Sequence, residues 1–397
     1  MKIRDNRVWD KSIVLKEYMI KIRRTIHQHP ELGLNEYETT KLVKKELLEM
    51  GVEIKEINSK VGVLGIIRGL KKGKNRVTAL RADMDALPID EKTNLPYSSK
   101  NKGIMHACGH DGHTAMLLGA AKIVSSMRED FSGVVKLIFQ PDEENLHGAK
   151  LMVEKGVLNN PKVDTILALH CFPALETGKV GVWKGPYMAS SDRFIIKVTG
   201  KGGHGANPHK VIDPVVASAE IIMALQNIIS REIDSLDSAV LSVCTVNGGQ
   251  TFNVIPDEVV MTGTIRCQKA ELRDIIKEKM ERIIKGISEA ANCQYLFQYK
   301  YGVSALINDQ DVVDLIIESA KQVLGKNSVE YLAQPAMSSE DFSVYLEKVP
   351  HGAFIRIGNT DPGEKPLVAH NDHFNFNDKA LSAGAALLSQ FVLIRNQ

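Results

Sequence analysis

What most constrains the fold of this chain is an order of short apolar runs and amphipathic stretches, interrupted once by a unit complete in itself. Val61 to Ile67 and Val77 to Leu80 are β-rich. Val134 to Phe139 and Thr165 to Leu169 are short apolar runs of the kind found in buried strands. Helical patterns lie between the later pairs, near 114–128 and 147–155. Strand–helix alternation of this kind predicts a sheet covered by helices. From about Ser190 the pattern changes. Arg193 to Thr199 reads as a strand, Pro214 to Ile229 as a helix, Val240 to Val246 and Val259 to Arg266 as strands. Leu272 to Ala290 follows as an amphipathic helix and Gln294 to Tyr301 as a strand. That order is β-α-β-β-α-β, the split ferredoxin-like unit. The expected boundaries are therefore an inserted domain at 188–303 and a discontinuous domain made of 1–187 and 304–397. The outer domain begins with helix over 12–50, broken at His27 to Glu31. It ends with a helix over 311–324, a strand over 353–357 and an apolar helix over 379–393. His27 and His29 read as ordinary helix-end polarity.

In α/β sheets, ligands gather at strand ends. Here those ends carry the polar residues: Arg81-Ala82-Asp83-Met84-Asp85 after one strand, Asp142-Glu143-Glu144 after a second, and His170 after a third. Three consecutive carboxylates beside a buried strand repel one another and are costly to desolvate unless something positive lies opposite. A metal ion explains them economically, and a solvated acidic turn is the alternative. The stretch Cys108-Gly109-His110 opens a helical pattern and aims two donors from one tight loop. Taken alone it reads more readily as a buried Cys beside a helix-capping polar cluster. Together with Glu144, His170 and His370 it makes a donor set of thiolate, imidazole and carboxylate, suited to Zn²⁺, Mn²⁺, Co²⁺ or Ni²⁺ rather than Mg²⁺. These donors exceed the four of a structural zinc site, which points to catalysis with one or two ions per subunit. Glu143, next to a ligand, is left over as a general base that takes a proton from water and delivers it to a leaving amine.

The inserted unit has polar loops of its own. Gly202-Gly203-His204-Gly205 is not a phosphate loop, because the spacing and the terminal Lys-Ser/Thr are missing. His204 and Asn253 are open to two readings, turn chemistry or function. Charge excludes some partners: 50 Lys+Arg against 48 Asp+Glu gives a formal net charge of +2, which calls for neither nucleic acid nor an acidic membrane. No stretch approaches the roughly 18 apolar residues of a membrane span. The N-terminal stretch lacks a continuous apolar signal core. The five Cys are odd in number and scattered. Both features suit a reducing, cytoplasmic home.

The motifs ALRADMDALPI, MHACGHDGHTAMLLGAA, Gln-Pro-x-Glu-Glu, ALHCFP, GGHGANPH and SSEDFS, in this order along the chain, resemble the N-acyl-L-amino acid amidohydrolases. That family includes hippurate hydrolases and indole-acetyl-amino-acid hydrolases, within the aminoacylase-like metallopeptidases. The resemblance implies an α/β fold: a mixed-sheet catalytic domain with helices on both faces and an inserted ferredoxin-like βαββαβ domain for dimerisation and lid. It implies a homodimer or homotetramer acting on a small N-acyl amino acid. It places the metal ligands on Cys108, His110, Glu144, His170 and His370 and the base on Glu143. It places substrate-binding roles on His204, Asn253 and Arg266, with His204 often supplied by the partner subunit. The wider group carries His-x-Asp where this chain has Asp83-Met84-Asp85, so no His ligand is available there. Asp142 stands where Ala is common, and it raises the pKa of Glu143 if both face one cavity. An N-acetyl-diaminopimelate-type deacetylase or a metallocarboxypeptidase fits the same motifs. A non-catalytic metal-binding dimer is opposed by the intact Glu143.

Overall fold

A computed structural model describes residues 6–397 of the chain. They fall into two compact units. The first comprises residues up to Gly185 together with Ile307–Gln334 and Asp341–Gln397; the second is Pro186–Leu306 with Pro335–Glu340.

The first unit is built on an eight-stranded mixed sheet. Its order is Glu53–Lys55, Val63–Arg68, Val134–Gln140, Val77–Asp83, Thr165–Glu176, Gly352–Thr360, Val180–Val182 and Val329–Tyr331. The four central strands from Val134–Gln140 to Gly352–Thr360 run parallel. Parallel strands must be buried on both faces, and Val77–Asp83 is buried at every position. On one face Leu80, Ala82, Leu137 and Leu167 pack with the helices His110–Ser125 and Ala380–Arg395 in the main core. On the other face Phe354 meets Phe342, beside the short helix Ser343–Leu346. Alternation along each strand thus sends successive side chains to opposite layers.

Three elements differ from the sequence reading. The helix expected near 114 begins at His110, because Gly109 adopts φ 85° and turns the chain straight into it. His170 does not end a strand. Its strand runs on to Glu176, since residues beyond it continue to pair with Gly352–Thr360. His27 is not solvated helix-end polarity. It is fully buried, with Nδ1 2.8 Å from Asp111 Oδ2 and Nε2 3.2 Å from Glu91 Oε1. Arg23, one turn earlier on the same helix, donates to the same Asp111 oxygen at 2.7 Å.

Burial opposes ionisation of Glu91, but His27, Thr93 and the Ser99 amide hold its carboxyl down at about 2. A depressed carboxyl stabilises the fold above its unfolded value of 4.5 and loses that contribution as pH falls through its folded value. Stability should therefore drop as pH falls from 4.5 towards 2. Glu91→Gln should flatten the drop, read as urea midpoints on either side of that window. An unchanged slope would exclude Glu91 as a contributor.

The second unit contains an antiparallel sheet ordered Ala239–Gly248, Glu258–Cys267, Asp192–Thr199, Gln294–Lys300. Along Asp192–Thr199, Phe194, Ile196 and Val198 alternate inward. They pack with Ile221 and Leu225 of the helix Pro214–Asn227 and with Ile276 and Met280 of the helix Glu271–Ala290. Asp213 starts the first of these helices by accepting the Val215 N–H at 2.8 Å, with Pro214 at the first helical position. A separate two-stranded ribbon pairs Gly203–His204 with Val254–Ile255.

Candidate metal centre

The turn at Gly109 sets the first two donors. A Cβ at this position would lie 2.6 Å from Cys171 Sγ, so only glycine lets Cys108 and His110 flank so tight a corner. Cys108 is buried, and its Sγ lies 3.5 Å from His170 Nε2. Burial and then the neighbouring Glu144 push its thiol far above the ordinary range. A thiolate here needs a cation beside it.

Hydrogen bonds fix which ring nitrogens are free. His110 Nδ1 faces two acceptors, Asp85 O at 3.0 Å and Asp85 Oδ1 at 3.1 Å, so it carries the proton. His110 Nε2 is left buried with no hydrogen-bond partner among the described residues. His170 Nδ1 donates to Cys171 O at 2.7 Å, which likewise frees Nε2. This is the arrangement that second-shell acceptors impose on metal-binding imidazoles. Burial opposes protonation of His110, but Asp83, Asp85 and Glu144 raise its pKa to about 10. The field that attracts that proton would attract a divalent ion.

The carboxylates arrive on the turn after Val134–Gln140. The Glu144 N–H donates to Asp85 Oδ2 at 2.9 Å. Glu144 Oε1 is buried, has no hydrogen-bond partner among the described residues, and lies 3.3 Å from His370 Nε2. His370, half exposed, is anchored by its own N–H on Ala107 O at 2.8 Å. Donor atoms of Cys108, Glu144 and His370 lie within 4.8 Å of one another, as do those of His110, Glu143 and Glu144. The structure thus brings the five expected ligands and Glu143 to one place. Asp142 points elsewhere. Its Oδ1 accepts from Asn145 Nδ2 at 2.6 Å and lies against Gly33.

His113 was passed over by the sequence reading, although it lies one turn after His110. It groups with Asp83, His110 and His170 within 4.8 Å. Both of its nitrogens are committed, however. Nε2 accepts the Cys171 N–H at 2.8 Å, so Nδ1–H donates to Asp83 Oδ1 at 2.6 Å. The other Asp83 oxygen takes Arg81 Nη1 at 2.6 Å. These groups brace the site, and the two hydrogen bonds of His113 leave its ring no lone pair to aim at an ion.

In the second unit, Val254 pairs with His204 and the Gly205 N–H donates to Asn253 O at 2.9 Å, so the ribbon brings His204 and Asn253 together. The Ala206 N–H donates to His204 Nδ1 at 3.1 Å, which leaves the ring hydrogen on Nε2, facing outward. Arg266 stands on the four-stranded sheet instead, and its Nη1 donates to Ser339 Oγ at 2.7 Å.

The pattern of peptidase family M20/M25/M40 matches residues 79–394. The chain belongs to this family. It is a metal-dependent amidohydrolase. It is 43% identical over 345 residues to the N-acetyl-L-cysteine deacetylase of Bacillus subtilis (strain 168), covering 87% of this chain and 81% of that one. It is 41% identical over 374 residues to the hippurate hydrolase of Campylobacter jejuni, covering 94% and 95%. A crystal structure of the Bacillus subtilis YXEP protein, described as a dinuclear metal binding peptidase from the M20 family, superposes with a TM-score of 0.85. Its identity is 37%, and coverage is 96% of this chain and 99% of that one. The chain spans most of the length of each of these proteins. Among the described residues no helix is long and apolar enough to cross a membrane.

Proposed function

We propose that this enzyme hydrolyses the amide bond of N-acyl amino acids, releasing a carboxylic acid and a free amino acid. Cys108, His110, Glu144, His170 and His370 would hold two divalent ions, with Mn²⁺ or Zn²⁺ the best chemical match to the donors and Co²⁺ or Ni²⁺ also compatible. Glu143 would be the base. The observation that carries this reading is the position of His110 Nε2, 3.9 Å from both Glu143 Oε2 and Glu144 Oε1. Two adjacent carboxylates reach the same imidazole nitrogen, so Glu144 can serve as ligand while Glu143 is placed to move a proton.

Held by these residues, a divalent ion would supply the chemistry that acidifies a water and polarises a carbonyl. Glu143 takes the proton at a carboxylate oxygen and returns it to the leaving amine nitrogen. Asp85 keeps His110 in one tautomer, and the Cys171 carbonyl does the same for His170. His204 Nε2–H is a donor suited to a developing oxyanion, Asn253 stands beside it, and the Arg266 guanidinium suits a carboxylate. Val216, Met223 and Val246 leave apolar side chains exposed on the second unit, which supports pairing of two copies there.

The test is amino acid release from a panel of N-acetyl and N-benzoyl amino acids, before and after chelation and with each of the four metals added back. Chelation should abolish release, and one metal should restore it. Release that survives complete metal removal would refute the reading, as would no release with any metal.

A further inference from the structure

Residues 29–36 join the helices Lys16–Gln28 and Tyr37–Glu49 and lie outside the stretch that the family pattern matches. They are nonetheless seated against both strand ends of the metal centre. Glu31 O accepts the Ala86 N–H at 2.8 Å, and Leu32 bridges Ala86, directly after Asp85. Gly33 faces the turn that carries Glu143 and Glu144 so closely that a Cβ there would lie 1.8 Å from Asp142 Oδ1. Glu36 is fully buried, and its Oε1 accepts the Asp142 N–H at 2.8 Å.

Asp142 needs that bond. It is a non-glycine residue at φ 55°, a conformation that persists only when its surroundings hold it. The same residue immediately precedes Glu143. One hydrogen bond from the Asp142 N–H and one from the Glu144 N–H, to Glu36 and Asp85, therefore bracket the residue assigned as base. We propose that Glu36 is a positioning residue for the hydrolysis: by accepting the Asp142 N–H it holds the turn that aims Glu143 and Glu144 at the metal centre. The proposal rests on the roles given above to those two residues.

The electrostatics suit this role. Burial pushes the Glu36 carboxyl up to about 8 and the Asp85 charge adds to the shift, while the hydrogen bond from the Asp142 N–H pulls against it. A carboxyl whose ionisation is opposed in this way supplies an acceptor while adding less negative charge to a crowded acidic site than an ordinary carboxylate. Glu36 Oε2 is buried without a hydrogen-bond partner among the described residues.

Three variants test the proposal. Glu36→Leu removes the acceptor, Glu36→Gln keeps an acceptor without charge, and Gly33→Ala pushes on Asp142 from the other side. The readouts are kcat and KM, Co²⁺ affinity by visible absorption titration, and amide exchange in a peptide spanning 140–148. Glu36→Leu should lose about 10- to 100-fold in kcat or Co²⁺ affinity, as when other supporting partners of a metal site are removed. KM should stay within a few-fold, and exchange in the peptide should quicken. Glu36→Gln should rescue most of the loss, and Gly33→Ala should reproduce it in milder form. If Glu36→Leu does not fold, Gly33→Ala decides. The proposal is overturned if Glu36→Leu and Gly33→Ala both keep kcat, metal affinity and exchange, or if Glu36→Gln falls as far as Glu36→Leu. If the wild type turns over no amide, Co²⁺ affinity and exchange still decide the clamp, and only the functional reading fails.

Discussion

Glu143→Gln is expected to lower kcat by about two to four orders of magnitude, the range lost when a positioned general base is removed. The change is nearly isosteric, so the buried turn keeps its packing. Gln cannot accept a proton from water or return one to a leaving amine, so the step proposed for Glu143 would be lost. Metal content should stay at the wild-type level, because Glu144 is held independently through Asp85 and the other donors lie on other segments. The measurement is kcat on the best N-acyl substrate together with metal counted per chain. Near wild-type turnover would remove Glu143 from the mechanism. A parallel loss of metal would make it a ligand rather than a base.

Arg81→Leu is expected to cost roughly 3–5 kcal/mol of stability, the penalty for stranding buried charges once their partner is gone. Arg81 is almost wholly buried. It donates to Asp83 at 2.6 Å, to Asp341 at 3.1 Å and to Gln140 Oε1 at 2.8 Å. With the guanidinium gone, Asp83 and Asp341 remain buried with less to compensate them. Asp83 also holds His113, so the damage should spread to the metal centre. The control is Arg68→Leu. That residue pairs with Glu53 at the surface, where such pairs contribute about 0–1 kcal/mol. Urea unfolding of both variants gives the comparison. Equal losses would show that the Arg81 network is no more than a surface-like pair.

The two predictions draw on information of different kinds. Glu143 was legible because three carboxylates follow an apolar run, and that pattern is local. The same holds for Cys108-Gly109-His110 at a helix start, and for the second unit, whose strand and helix periods survive in the sequence. Arg81 looked like one more polar residue at a strand end. Its importance comes from Asp341, 260 positions away. Glu36 lies within the predicted helical stretch 12–50, and its partner lies 106 positions on. His27 was misjudged for the same reason, since Asp111 and Glu91 reach it only through folding.

The sequence by itself determined the alternation of strand and helix, the kinds of donor available, and the adjacency of two carboxylates at Glu143 and Glu144. These follow from neighbouring residues, through periodicity and the cost of burying charge. Only the tertiary structure decided which imidazole nitrogen is free, that His113 is a brace, that Asp142 turns away from Glu143, and that residues 29–36 hold the turn. Each of these depends on a hydrogen bond or a close contact between segments far apart in the chain, and no local pattern encodes where such partners meet.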